Sequence, residues 1–357
     1  MKVSCTYTTI ITANIFFILF LVPVLFYIKR QKDTFHKKEI KMILVFFWIL
    51  IIRLFTPFEY PVTYSVYITD LYAKACEILR DTKILNINIM IFFCVISFCG
   101  TMILSIVRIS QYRRFLQLLS YGETIQHIPI QNMFGKTIEI PMKQIKFINE
   151  VFLVGLLKPM IIVPEVLAGK EEYIIEHELE HFKNHDQWYK LLVDILCLVY
   201  WWNPLVYVLK GYIENILELR NDFSVTKNMT EKEKIEYADT IFLHMKEKNK
   251  MKLGLGLTKN LSKTRIYSLL IEKTKKTTKF YFVMIILILY SFFVVIEPRG
   301  VLNLNHGQFT LEEDNLYLIK EREGYSFYIN DEYMGNIEEI PKEFFELEIL
   351  ELREENR

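Results

Sequence analysis

Charge of one sign is missing from this sequence: 43 Lys and Arg stand against 42 Asp and Glu, a formal net charge of +1. A near-neutral chain carries no electrostatic footprint for nucleic acid, and direct nucleic-acid binding is excluded as an expectation. Cysteine is sparse, and the five present show no metal spacing. Cys94, Cys99 and Cys197 fall in apolar segments and read as small hydrophobes. Cys5 and Cys76 are the one pair that a disulfide could join, and sequence alone cannot give their separation. Glycine is also scarce, at 12 of 357 residues, and no internal repeat or low-complexity run appears.

Apolar residues are abundant instead: 52% of the chain, with a mean hydropathy of +0.20. Residues 8–28 and 84–107 contain no charge and are long enough to span hydrocarbon. Residues 280–296 are shorter but strongly apolar, and residues 42–58 are broken only by Arg53, whose stem can snorkel to the headgroups. Each run competes with a buried core helix. No small-residue cleavage site follows residues 8–28, and Lys29, Arg30 and Lys32 come directly after, so this run is expected to be a retained anchor rather than a signal peptide.

The basic segments orient these spans. Residues 29–41, the region of Arg108, Arg113 and Arg114, and residues 272–279 are basic, and read as cytoplasmic. Residues 298–357 carry 15 acidic against 6 basic residues. The expected plan is a multi-pass cell-membrane protein with both termini outside. Three spans and their loops occupy 1–108, a cytoplasmic domain 109–279, a fourth span 280–297, and a small acidic, β-rich extracellular tail 298–357.

Within the cytoplasmic segment, residues 125–131, 137–142, 147–155 and 158–164 read as short strands, and 167–186 as a helix. Residues 195–209 are apolar but short for a span, and contain Pro204. Were they to cross the bilayer, the basic stretch before the fourth span would become external. A buried or re-entrant helix at about 189–209 fits the charges better. The fold class is therefore a mainly α membrane protein with four transmembrane helices and a cytoplasmic α+β domain.

The chemistry lies in His177-Glu178-Leu179-Glu180-His181, an H-E-x-x-H on the expected helix. Histidines at i and i+4 share one helical face and can offer imidazole nitrogens to one Zn²⁺. Glu178 can take the proton of the attacking water as general base and pass it to the leaving amine. The competing reading is a charged helix face with two solvated histidines. A third ligand is required. The extension to a third histidine fails, because Asn184 and Gln187 stand where Gly and His would be. Glu214, Glu218 and Asp222 follow at four-residue spacing and project from nearly one helix face; one could bind metal and the next orient a histidine through its other ring nitrogen. Spacing does not choose among them. Asp186 is either such an orienting acid or a helix-end partner, and His185 reads as a surface residue.

Taken in order, residues 155–164 (GLLKPMIIVP), 177–186 (HELEHFKNHD), 201–207 (WWNPLVY) and 218–222 (ELRND) resemble the BlaR/MecR-type integral-membrane zinc peptidases, signal transducers of β-lactam resistance and their wider relatives. The resemblance runs over roughly residues 5–297. It implies a gluzincin-like site, with His177, His181 and Glu218 as zinc ligands, Glu178 as base and Asp222 as the orienting acid. Asn221 stands where relatives often have Cys, with no effect on zinc expected. The resemblance implies a protein or peptide substrate, which could be a transcriptional repressor or the chain itself. The basic stretch 259–279 could contact anionic membrane lipid, and a second copy of the chain is a further possible partner. The sequence departs from antibiotic-sensing members after the fourth span, where residues 298–357 are too few for a penicillin-binding domain; Ser224-Val225-Thr226-Lys227 is read as a coincidental S-x-x-K. The alternatives are a constitutive peptide-processing membrane protease and a non-catalytic membrane receptor.

Overall fold

The computed structural model describes residues 7–30, 35–58, 63–68, 72, 75–76, 78–79, 82–84, 87–131, 137–146, 148, 150–165, 171–251, 265–269, 278–298, 316–320, 325–329, 332–337 and 348–351. Two compact units emerge, one of residues 1–64 and 83–295, the other of 65–82 and 296–357.

The first unit is mainly helical. Helix α1 (Tyr7–Arg30) is uninterrupted by Pro23, and α2 (Lys37–Phe55) starts on a capping box, in which His36 accepts from Lys38 N and Glu39 accepts from His36 N at 3.1 Å. Helix α3 (Ile89–Ser120) is capped by Asn88, which accepts from Met90 N at 2.8 Å. Of the described helices, α1 and α3 are long and apolar enough to cross a membrane. The expected start at residue 84 is too early: Lys83–Ile84 (β2) pairs with Ile87–Asn88 (β3) as a hairpin before the cap. The helix then absorbs the basic segment through Ser120 without a break. Arg53 also departs from expectation. It does not snorkel; its side chain is 1% exposed, donates to Thr56 O at 3.0 Å and lies over the Phe292 ring at 5.4 Å.

After α3, four strands build one sheet. Strand β4 (Glu123–Gln131) pairs antiparallel with β5 (Thr137–Ile145), which runs parallel to β7 (Met160–Pro164), and β6 (Phe152–Val154) pairs antiparallel with β7 at the edge. Gly155 makes the β6–β7 turn at φ +97°, where a Cβ would meet Lys158 O at 2.1 Å. Helix α4 (Glu171–Lys183) lays Ile174, Ile175, Leu179 and Phe182 on one face of the sheet, against Ile140, Ile161 and Val163.

His185 then takes a left-handed conformation (φ 58°, ψ 30°), which ends α4 and lets α5 (Asp186–Val199) leave in a new direction. The apolar run is therefore not a single helix. A turn at Tyr200–Asn203 breaks it, and α6 (Pro204–Val225) restarts with Asn203 capping Leu205 N at 3.0 Å and Pro204 in the first turn. Helix α7 (Glu231–Met251), a helical turn at 265–269 and α8 (Thr278–Tyr290) complete the unit. At 13 residues, α8 rises about 20 Å, less than a full hydrocarbon core. Residues of α1, α2, α5, α6 and α8 share one apolar cluster, including Phe17, Leu21, Ile43, Leu50, Leu196, Leu209, Leu217 and Tyr281.

In the second unit, β9 (Leu316–Lys320), β10 (Tyr325–Ile329), β11 (Glu332–Ile337) and β12 (Glu348–Glu351) form a four-stranded sheet in the order β11-β10-β9-β12. Strands β1 (Tyr64–Ile68) and β8 (Val294–Pro298) make a two-stranded sheet. Cys5 lies outside the described residues, and Cys76 is a buried free thiol.

Candidate metal centre

One face of α4 carries His177 and His181, both nearly sealed from solvent. Their Nε2 atoms converge on a single carboxylate: Glu218 of α6 places Oε2 3.1 Å from His177 Nε2 and Oε1 3.3 Å from His181 Nε2. The three candidate ligand atoms lie within 4.8 Å of one another. Two imidazole nitrogens and one carboxylate are the donor set of a catalytic zinc site that keeps an open position.

The outer nitrogens are held just as specifically. His177 Nδ1 lies 2.8 Å from Tyr237 Oη and 3.2 Å from Asp222 Oδ1. His181 Nδ1 lies 2.7 Å from Asp186 Oδ2. An ionised carboxylate only accepts, so Asp222 and Asp186 favour a ring proton on Nδ1, and a neutral ring in that tautomer would turn its Nε2 lone pair toward Glu218 and a metal. The left-handed turn at His185 is what brings Asp186, five residues after His181, back under its ring. Asn221 adds a contact on the same side, its Nδ2 being 2.5 Å from His181 Nδ1 and 2.7 Å from Asp186 Oδ2, with its Oδ1 accepting from Asn184. Arg220 completes the cluster by pairing with Asp186.

Two residues reach the centre from later in the chain. Tyr237 of α7 donates to Asp222 Oδ1 at 2.7 Å. Arg265 grips Asp222 with Nε and Nη2, both at 2.7 Å, and extends Nη1 to Glu218 Oε2 at 3.1 Å. Burial would raise the Glu218 carboxyl, but the charges of His181 and Arg265 hold it well below its ordinary value. Asp222 is depressed too, against its burial, chiefly by Arg265. Burial draws His177 downward, yet hydrogen bonds and charge from Asp222 and Glu218 outweigh it and lift the ring to about 9. His181 is lowered, because burial there prevails over Glu218. Two ionised acids thus flank the His177 ring, Glu218 at Nε2 and Asp222 at Nδ1; a divalent ion bound at Nε2 would take the place of the His177 proton.

The other residues singled out from the sequence are placed as follows. Glu178 accepts from Leu153 N, on edge strand β6, at 2.9 Å. Glu214 stays away from the imidazoles, half-buried and 3.8 Å from Lys210. Asn221, read from sequence as neutral for zinc, touches a candidate ligand histidine. Asp186, left open between two roles, stands in the first turn of α5 and also contacts His181 Nδ1. Tyr237 and Arg265 were not anticipated; Arg265 sits in the basic stretch 259–279, which composition suggests as a lipid contact. A buried acid such as Asp222 demands a cationic partner, but nothing in the sequence says which of many basic residues supplies it.

A sheet, an H-E-x-x-H helix packed on it and an acid from a following helix together make a candidate metal centre. The model of the BlaR1 peptidase M56 family matches residues 65–268, and the chain belongs to that family. The chain is 35% identical over 99 residues to the methicillin resistance mecR1 protein of Staphylococcus aureus, covering 26% of this chain and 17% of that one. Its likeness to the regulatory protein BlaR1 of Bacillus licheniformis is 32% over 91 residues, covering 24% and 15%. With the regulatory protein BlaR1 of Staphylococcus aureus it is 23% over 251 residues, covering 61% and 40%. The chain thus spans well under half the length of these relatives.

Proposed function

We propose that this chain is an integral-membrane zinc endopeptidase that hydrolyses a peptide bond in a cytoplasmic or membrane-proximal protein, as a step in signal transduction. The observation that carries this is the convergence of His177 Nε2 and His181 Nε2 on the Glu218 carboxylate, each histidine backed by an acid on its far nitrogen. When bound there, zinc supplies Lewis acidity to the scissile carbonyl and the attacking water.

The chain's own residues do the rest. Glu178 accepts the water's proton and returns it to the leaving amine. Asp222 and Asp186 keep His177 and His181 in the ligating tautomer. Arg265 fixes the Glu218 and Asp222 carboxylates together. Strand β6 is an edge on which an extended substrate can pair, whereas β7 is flanked on both sides. A substrate carbonyl that accepted from Leu153 N–H would release Glu178 from its present bond. The substrate in this reading is a transcriptional repressor or the chain itself, as the family resemblance implies.

The test is cleavage in nanodiscs. Purified protein is incubated with zinc, and fragments of the chain and of co-expressed candidate repressors are mapped by mass spectrometry. Wild-type protein yields a discrete cleavage that Glu178→Gln loses while keeping its metal. Equal cleavage by both proteins would refute the assignment.

A further inference from the structure

We infer that α5, the Tyr200–Asn203 turn and α6 form a hairpin that enters the bilayer from the same side as the metal centre, with one face of α5 against lipid acyl chains. The inference rests on the reading of α3 as a membrane span, and goes beyond the proposed reaction by fixing where the reaction takes place.

Depth is set by contacts with α3. The Thr101 hydroxyl donates to Leu198 O at 3.1 Å, Trp201 Nε1 donates to Ser97 O at 3.3 Å, and the Trp202 ring lies 5.2 Å from Phe93. Gly100 makes this approach feasible, since a Cβ there would stand 2.6 Å from the Trp201 ring. As α5 advances, its partners on α3 therefore recede toward Ile89. Helix α2 gives the same reading: Tyr200 donates to Leu54 O at 2.8 Å and meets the Phe55 ring at 6.4 Å, at the last turn of that helix. The turn is thus level with the start of α3 and the end of α2. Going back from Leu198 to Asp186 descends about 18 Å, and the same rise along α3 from Thr101 ends near Arg113, where the apolar run has given way to basic residues. Glu218, about 21 Å below Pro204 along α6, returns to the same level.

The surface of α5 matches that placement. Trp188, Leu191, Leu192, Ile195, Val199 and Trp202 are exposed and fall on one stripe of the helix and its following turn. The opposite face, with Val193, Leu196 and Cys197, is buried in the same cluster as α1, α2 and α8. Gln187, Lys190 and Asp194 occupy a third stripe of α5, and its two charges pair with α6, as charges in a membrane require: Lys190 lies 3.8 Å from Glu218, and Asp194 is contacted at 2.5 Å by Lys210, which also lies 3.8 Å from Glu214. The apolar stripe is continuous with α3, whose own exposed side chains, among them Val95, Phe98 and Met102, are apolar throughout that region. Acyl chain is the occupant that covers both. The metal centre then sits at the cytoplasmic surface of the bilayer, and a substrate must present its scissile segment in that plane.

The experiment uses the full chain in nanodiscs containing a phosphatidylcholine with a photoactivatable acyl chain, with labelled peptides located by mass spectrometry. In parallel, a variant retaining Trp202 as its sole tryptophan (Trp48, Trp188 and Trp201 each to Phe) is quenched by lipids brominated at stepped positions along the acyl chain and by aqueous iodide. The expected result is label in both α3 and residues 188–202, with Trp202 emission largely lost to brominated lipid and little affected by iodide. Label in α3 with none in 188–202 overturns the hairpin while leaving the span, and shows the stripe covered by protein, whether a second copy or another part of the chain. No label in either removes the membrane reading and the inference together. The unmodified chain keeps the labelling decisive if the tryptophan variant fails to fold.

Discussion

Arg265 and Asp222 illustrate what a single side chain contributes here. Both are buried, and each is the other's main counter-charge. Removing one partner strands the other, at a cost of about 3–5 kcal/mol, whereas replacing both with apolar residues is far cheaper. Asp222→Leu is therefore expected to lower the denaturant midpoint strongly, and Asp222→Leu with Arg265→Met to recover most of it; an additive double variant would show the pair is not coupled. A milder effect is expected at Asp186. Its carboxylate orients His181, so Asp186→Asn should weaken metal affinity about 10–100-fold, measured by competition with a chromogenic chelator. Glu178→Gln should leave metal content unchanged and slow cleavage about 10²–10⁴-fold. Much of this site was legible. Histidines four residues apart must share a helix face, and an acid on a neighbouring helix was needed to complete the set. Tyr237, Arg265 and Asn221 were not legible, because hydrogen-bond partners brought together by tertiary packing leave no periodic trace in the chain.

At the scale of elements, the His185 junction decides whether α4 and α5 present His181 and Asp186 to each other. A left-handed non-glycine residue costs about 1–2 kcal/mol. His185→Gly should therefore keep metal binding and raise stability slightly, while β-branched His185→Val should lose both; equal metal affinity in the two variants would mean the junction is unimportant. The strands after α3 were readable from their apolar runs and the Gly155 turn signal, and α6 from its four-residue acidic spacing. The break in the apolar stretch was harder to read. Trp201, Trp202 and the residues around them carry no glycine, and a lone proline is compatible with a kink, a first turn or a stop. Only the packing of Trp201 against Gly100 and of Tyr200 against Leu54 shows that the chain reverses there.

For the whole molecule, α1 and α3 satisfy the length and hydropathy of spans while α2 is interrupted by charge and α8 is short, and the charge asymmetry across the apolar runs points to an orientation. We propose four spans with both termini outside. Protease added to intact cells should then remove an epitope placed after residue 298 and spare one placed in α7; the reverse pattern would invert the topology. The metal centre rests on three ligands. The decisive measurement is the zinc content of the purified protein beside Glu218→Ala and Glu214→Ala. One zinc per chain is expected in the wild type and in Glu214→Ala, and its loss or marked weakening in Glu218→Ala. Zinc retained in Glu218→Ala, or none in the wild type after reconstitution with excess metal, would contradict that ligand set.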